Sequence, residues 1–148
     1  MKKIVLISII CLFALLLIFL ISLIAPRIAY IISKKYDPYN YPNSIWICRN
    51  PEIMYYIPED IFHEEAIATT EIDGNTVSFT LDTVNFVVEA MNYYDDKRAF
   101  TESDLLFTGY ISYSEDEFTI KIDKDTDTLF GGKYSKLVFK RDFISTSQ

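Results

Sequence analysis

His63 is the single histidine of the chain, and it stands in the run His63-Glu64-Glu65. One imidazole beside two carboxylates is the least from which a general base or part of a metal site can be built. No second histidine exists to complete zinc ligation, and an extended backbone sends adjacent side chains to opposite faces. A surface histidine is the expectation. The run Asp123-Lys124-Asp125-Thr126-Asp127 has the alternate-residue spacing with which a calcium loop begins. Such a loop needs glycine at its sixth position and a bidentate glutamate at its twelfth. Counted from Asp123 these positions are Thr128 and Tyr134, so solvated loop carboxylates are expected instead of calcium.

A serine, threonine or cysteine nucleophile needs an activating base held by an orienting group. With His63 the sole imidazole and no glycine-flanked serine elbow, nothing in the sequence supplies one. Cys48 is expected to be a small buried apolar residue. The chain's four glycines cannot form a phosphate-cradling loop, and Gly131-Gly132-Lys133 reads as a turn. Carboxylates are abundant, but whether two of them share one cleft is a spatial matter. No catalytic, cofactor-binding or metal-ligating residues are assigned, no cofactor is expected, and the chain does not read as an enzyme.

The elements that would have to position any site fall into two parts. Ile4 to Ile24 is a run of 21 residues without a charge, directly behind Lys2 and Lys3. As a helix it would be roughly 31 Å long, close to the hydrocarbon thickness of a bilayer. It is apolar all round, whereas a soluble helix keeps a polar face. Its two hydroxyls, Ser8 and Ser22, can bond back to a carbonyl one turn earlier. The run is too long for an ordinary signal peptide, and its exit, Leu23-Ile24-Ala25-Pro26, is poor for cleavage. Ile10 before Cys11, and the apolar run continuing beyond it, argue against a lipoprotein. A single-pass, uncleaved signal-anchor helix is predicted over residues 1–35, with Ile28–Ser33 able to prolong it past Pro26 and the bilayer as partner of residues 4–24. The Met-Lys-Lys lead resembles an export signal and points to an extracytoplasmic domain. Arg27, Lys34 and Lys35 behind the span pull the other way under the positive-inside rule.

Charge divides sharply between the parts. Residues 1–35 hold five basic residues and no acid, while residues 36–148 hold nine basic and all 21 acidic ones, a net of −12. Such an excess repels a phosphate backbone, so nucleic acid is excluded as a partner, and a basic protein or an envelope component is favoured. Cys11 inside the span cannot reach Cys48 beyond it, so no internal disulfide is expected.

Residues 36–44, YDPYNYPNS, read as a linker, because Pro38 and Pro42 do not sustain a helix. Tyr36, Tyr39 and Tyr41 suit either a membrane–water boundary or packing on the domain. From residue 45 the period becomes two. Thr76–Asp82 puts Val77, Phe79 and Leu81 on one face, and Glu117–Asp123 does the same with Phe118, Ile120 and Ile122. Further strands are predicted at Ile45–Cys48, Ile53–Ile57, Ala66–Ile72, Val84–Asn92, Leu105–Tyr113 and Lys136–Phe143. Val84–Asn92 also fits a helical turn or two. Asp73-Gly74-Asn75 reads as a hairpin turn, with others at Ser114-Glu115-Asp116 and Thr126–Gly132. Strands this short and closely spaced predict an all-β class: a single antiparallel small barrel, or a sandwich, over 45–148. Closure is favoured because few prolines blunt the strands. The 11 tyrosines, 11 phenylalanines and one tryptophan are expected mainly to fill its core.

Trp46 with Cys48 near the start, Gly109-Tyr110 in LLFTGYISY, and Phe139 with Arg141 in LVFKRD carry a resemblance. In layout the chain resembles small bacterial membrane-anchored proteins with a compact β domain. A tryptophan on the first strand and an arginine on the last is also similar to the lipocalin-like barrels, where that pair closes one end. The glycine two positions before that family's tryptophan is Ser44 here. The resemblance implies a barrel and, as an alternative role, a carrier of a small apolar ligand. The residues themselves favour a binding or interaction module.

Overall fold

A computed structural model describes residues 2–94 and 101–143 and divides the chain into two compact units, Met1–Lys35 and Tyr36–Gln148. The first is one helix, α1 (Lys2–Lys35). By length and composition its 29-residue stretch Lys3–Ile31 is apolar enough to cross a membrane. Its apolar side chains from Ile4 to Ile31 are exposed. The helix continues through Pro26 to Lys35. Proline there removes only the amide that would meet the Ser22 carbonyl, and intact turns lie on both sides. Ser22 Oγ donates to the Phe19 carbonyl at 2.7 Å, so the hydroxyl is satisfied within the helix.

The second unit holds eight strands: β1 (Ser44–Arg49), β2 (Glu52–Ile57), β3 (Ile67–Ile72), β4 (Asn75–Val84), β5 (Val87–Asn92), β6 (Leu105–Ser114), β7 (Glu117–Ile122) and β8 (Lys136–Asp142). Each pairs antiparallel with its neighbours in sequence, and β1 pairs with β8, so the sheet closes into a barrel. Closure removes the pairing edges that an open sheet would expose.

The expected segment Val84–Asn92 is not one element. Val84 ends β4, Asn85 and Phe86 form a two-residue turn with φ of 51° and 67°, and β5 starts at Val87. Such a turn normally carries glycine at its second position, as Asp73-Gly74 does between β3 and β4. Phenylalanine conceals it because the side chain suits a strand. Phe86 packs against the core, and its carbonyl accepts from the Ile111 amide at 2.8 Å; these contacts hold the unusual backbone.

Alternation turns every second side chain inward, and aromatic rings fill the interior. Phe118 and Phe139, register partners on β7 and β8, stack with centroids 4.6 Å apart. Trp46 tilts against Phe118 at 5.3 Å, and Tyr55 meets both phenylalanines edge-on at 6.0 and 6.3 Å. Phe79 and Phe107 form a second edge-on pair at 6.1 Å. All six are at most 2% exposed, and burying one such side chain is worth about 1.5–3 kcal/mol. Gly109 lets β6 and β7 lie close: a Cβ there would sit 2.6 Å from the Lys121 carbonyl oxygen.

Candidate functional site

One end of the barrel is sealed by the segment expected to be a linker. Residues 36–43 belong to the barrel unit, with a short 3₁₀ turn at Pro38–Asn40 and Pro38 buried. Asp37 Oδ1 accepts from the Tyr39 amide at 3.0 Å and caps the turn. Tyr55 donates its hydroxyl to the Tyr39 hydroxyl at 3.1 Å. Tyr41 leans on Trp46 with centroids 5.9 Å apart, and the Arg141 guanidinium carbon lies 4.1 Å from the Tyr41 ring. The same cation is 4.5 Å from Phe143 and 6.0 Å from Trp46, a cation–π cluster. Arg141 Nη2 donates to Asp116 Oδ1, its amide donates to the Asp116 carbonyl at 3.0 Å, and Trp46 Nε1 donates to Ser44 Oγ at 2.9 Å. The first strand, the last strand and the β6–β7 turn are thus tied at one point. Burial pushes the phenols of Tyr39, Tyr55 and Tyr113 above their ordinary value, and the Asp37 charge adds to it. They stay neutral hydrogen-bonding groups at neutral pH.

The loop between β7 and β8 closes the other end. Phe130 packs 6.1 Å from Phe107, and Tyr134 meets Phe130 edge-on at 5.3 Å. Asp127 organises this loop: Oδ1 accepts from the Phe130 amide and Oδ2 from the Gly132 amide, each at 2.8 Å. Gly131 and Gly132 take φ of 60° and 75°, the turn expected of that pair.

The residues singled out for chemistry do not converge. Asp127 is buried and occupied by backbone amides, Asp123 accepts from the Asp125 amide at 3.1 Å, and Asp125 is exposed. His63 Nδ1 lies 2.7 Å from Asp60 Oδ2 in an exposed loop. Among the described residues no three of His, Cys, Asp or Glu are placed to share a metal ion. Cys48 faces into the barrel at 1% exposure, and burial pushes its thiol up, away from the reactive thiolate.

The outer wall carries what sequence reasoning missed. Along β8, Lys136, Val138 and Lys140 alternate with the buried Leu137 and Phe139. Lys121 on β7 is the register partner of Lys136, and Ile47 on β1 is that of Lys140. Lys136 and Lys140, with Arg49, Lys133 and Asp142, border a groove of about 810 Å³ that Ile47 and Val138 also line. Asp82 on β4 and Glu89 on β5 are register partners, both exposed, and only β6 lies between β5 and the Lys121 strand β7. Asp82 also borders a hollow of about 220 Å³ with Glu64 and Glu65. Next to the acid pair, Val84, Val87 and Tyr110 form one row across β4, β5 and β6, at 70%, 40% and 66% exposure. The acidic total hides this segregation; the available signal was the alternation of lysines along β8.

No protein-family model, curated protein or solved structure matches the chain.

Proposed function

We propose that the chain is a single-pass membrane-tethered protein whose extracytoplasmic barrel binds another macromolecule or an envelope component and has no enzymatic role. The observation that carries this reading is the filled interior. Phe118, Phe139, Trp46 and Tyr55 interlock at centroid distances of 4.6–6.3 Å, and Phe130 packs over Phe107 at the other end. A carrier needs a hollow barrel, because an apolar guest must replace packed side chains to enter. Recognition then belongs to the outer wall, where charged and apolar side chains are exposed. The tether is supported by α1, whose apolar stretch has the length a bilayer requires.

One observation favours the alternative of a small-ligand carrier. Trp46 and Arg141 meet where the first and last strands join, as the resemblance to lipocalin-like barrels implies. Native mass spectrometry of the full-length protein extracted in detergent separates the two. A co-purifying protein supports the interaction module, and a retained small apolar molecule overturns it in favour of the carrier. Protease shaving of intact cells tests the placement: the barrel should be digested, and its protection would put it in the cytoplasm.

A further inference from the structure

We propose that the barrel rests with its entry end on a lipid surface, apolar loop tips entering the headgroup region of a bilayer of zwitterionic, ammonium-bearing lipids. The inference rests on the reading of α1 as a membrane tether and is independent of which macromolecule the outer wall meets.

A barrel whose eight strands pair in chain order sends successive connections to alternate ends. The β2–β3 loop, the β4–β5 turn and the end of β8 therefore share the rim where the chain enters β1. The register agrees, since Ser44 pairs with Ile57 and Ile45 with Asp142. Exposed apolar side chains gather on this rim. Phe62 is 91% and Ile61 41% exposed in the β2–β3 loop, Val84 70% and Val87 40% beside the β4–β5 turn, and Phe143 57% just past β8. Apolar residues exposed singly are ordinary, whereas a gathering of them marks a surface that meets something. At the opposite end Phe130 and Tyr134 fold onto the barrel, and among the described residues no large apolar side chain stands exposed there.

Phe62 is held out by a built turn. Its amide donates to Asp60 Oδ1 at 3.1 Å, and the His63 and Glu64 amides donate to the Asp60 carbonyl at 3.2 and 2.9 Å. A ring already fixed in place loses little freedom on entering an apolar phase.

The tether identifies the occupant. Only Tyr36 and Asp37 separate Lys35, the last residue of α1, from Pro38, which is buried in the barrel unit. Three Cα steps span at most about 11 Å, so an anchored chain keeps its entry rim within reach of the bilayer surface. Charge then selects the lipid. Glu59, Asp60, Glu64, Glu65 and Glu115 are exposed on the same rim, and an anionic headgroup repels them. The ammonium of phosphatidylcholine or phosphatidylethanolamine offers them the opposite charge. The apolar tips between these acids reach the boundary of headgroup and acyl chain, where amphipathic surfaces settle.

The test places the full-length chain in vesicles of phosphatidylcholine and phosphatidylethanolamine, with a quencher on the shallow part of the acyl chain. Phe62→Trp and Val84→Trp report from the rim, and Lys124→Trp from the exposed β7–β8 loop at the far end. The wild type, whose Trp46 is fully buried, supplies the background. Each variant is checked for β circular dichroism. Both rim tryptophans should be quenched about twofold more than the one at Lys124→Trp, as shallow insertion requires. Replacing half the lipid by phosphatidylglycerol should weaken that quenching by about twofold. Equal quenching at rim and far end, in protein that carbonate washing leaves in the vesicles, would overturn the docking and leave the tether standing. Release by carbonate would remove the tether and the docking with it. Quenching that rises with phosphatidylglycerol would overturn the choice of lipid. Quenching that vanishes when a co-purifying protein is added back would give the rim to that protein and overturn the proposal.

Discussion

Trp46 and Arg141 face each other across the seam where β8 meets β1, register partners with the guanidinium carbon 6.0 Å from the indole centroid. The arginine also lies against Tyr41 and Phe143 and pairs with Asp116, so one side chain bridges the chain's aromatic entry to the barrel and its last strand. Lysine keeps the charge but loses the flat face that stacks on rings. Arg141→Lys should therefore cost about 1–2 kcal/mol. Trp46→Ala should cost about 3–5 kcal/mol, since the ring is fully buried. Denaturant melts followed by circular dichroism check both; equal stability of Arg141→Lys and wild type would show that charge alone holds the seam.

The hydroxyl pair of Tyr55 and Tyr39 predicts an asymmetry. Tyr55 is 2% exposed and Tyr39 is 38% exposed. Tyr39→Phe strands a buried donor, and about 1–3 kcal/mol is the usual penalty. Tyr55→Phe leaves the unpaired hydroxyl on Tyr39, the more exposed of the two residues, and should cost less. Melting both variants under one condition decides the matter; the reverse order would mean that Tyr55 finds another acceptor.

Alkali should loosen the barrel. Burial holds Tyr39, Tyr55 and Tyr113 protonated above the ordinary tyrosine value of 10.0. Unfolded, these phenols lose protons near that value, so above it the folded state holds more protons than the unfolded state. Stability should be level below about pH 10 and fall as pH rises further. Denaturant midpoints taken from about pH 8 to about pH 12 should show the decline, and it should be shallower in Tyr113→Phe. An identical slope in that variant would assign the loss to other groups.

Gly109 predicts a steric failure in the middle of a strand. A methyl there would lie 2.6 Å from the Lys121 carbonyl oxygen and 3.0 Å from Ile120 Cγ2. Neither the β7 backbone nor a buried isoleucine can yield easily, so Gly109→Ala should lose about 1–3 kcal/mol through forced displacement. Amide exchange along β6 and β7 should quicken with it. Unchanged protection there would show that the strands part without cost.

Most of the barrel was legible because its strands obey the two-residue period with little interruption, as Phe118, Ile120 and Ile122 show on β7. The β4–β5 turn was not legible, since Phe86 adopts a backbone conformation that its side chain does not announce. The entry segment was half legible, since packing of its tyrosines on the domain was one of two readings its residues allowed. Two prolines excluded a regular helix, but composition could not tell that Pro38 would be buried and that Tyr39 would meet Tyr55. The outer walls were hidden by counting charge instead of placing it. Alternation indicates which face a lysine takes, but the order of strands around the barrel decides which lysines become neighbours. Lys121 and Lys136 become opposed only through the pairing of β7 with β8.

Closure of β1 on β8 has one further effect. With each strand flanked by a neighbour on both sides, the barrel has no edge strand to offer, and an incoming molecule is met chiefly by side-chain tips. Those tips can be exchanged one at a time while the ring of strands beneath stays intact. Affinity for whatever meets this surface can therefore be rewritten by point substitutions, from none to strong and from one charge preference to the other, at little expense to folding.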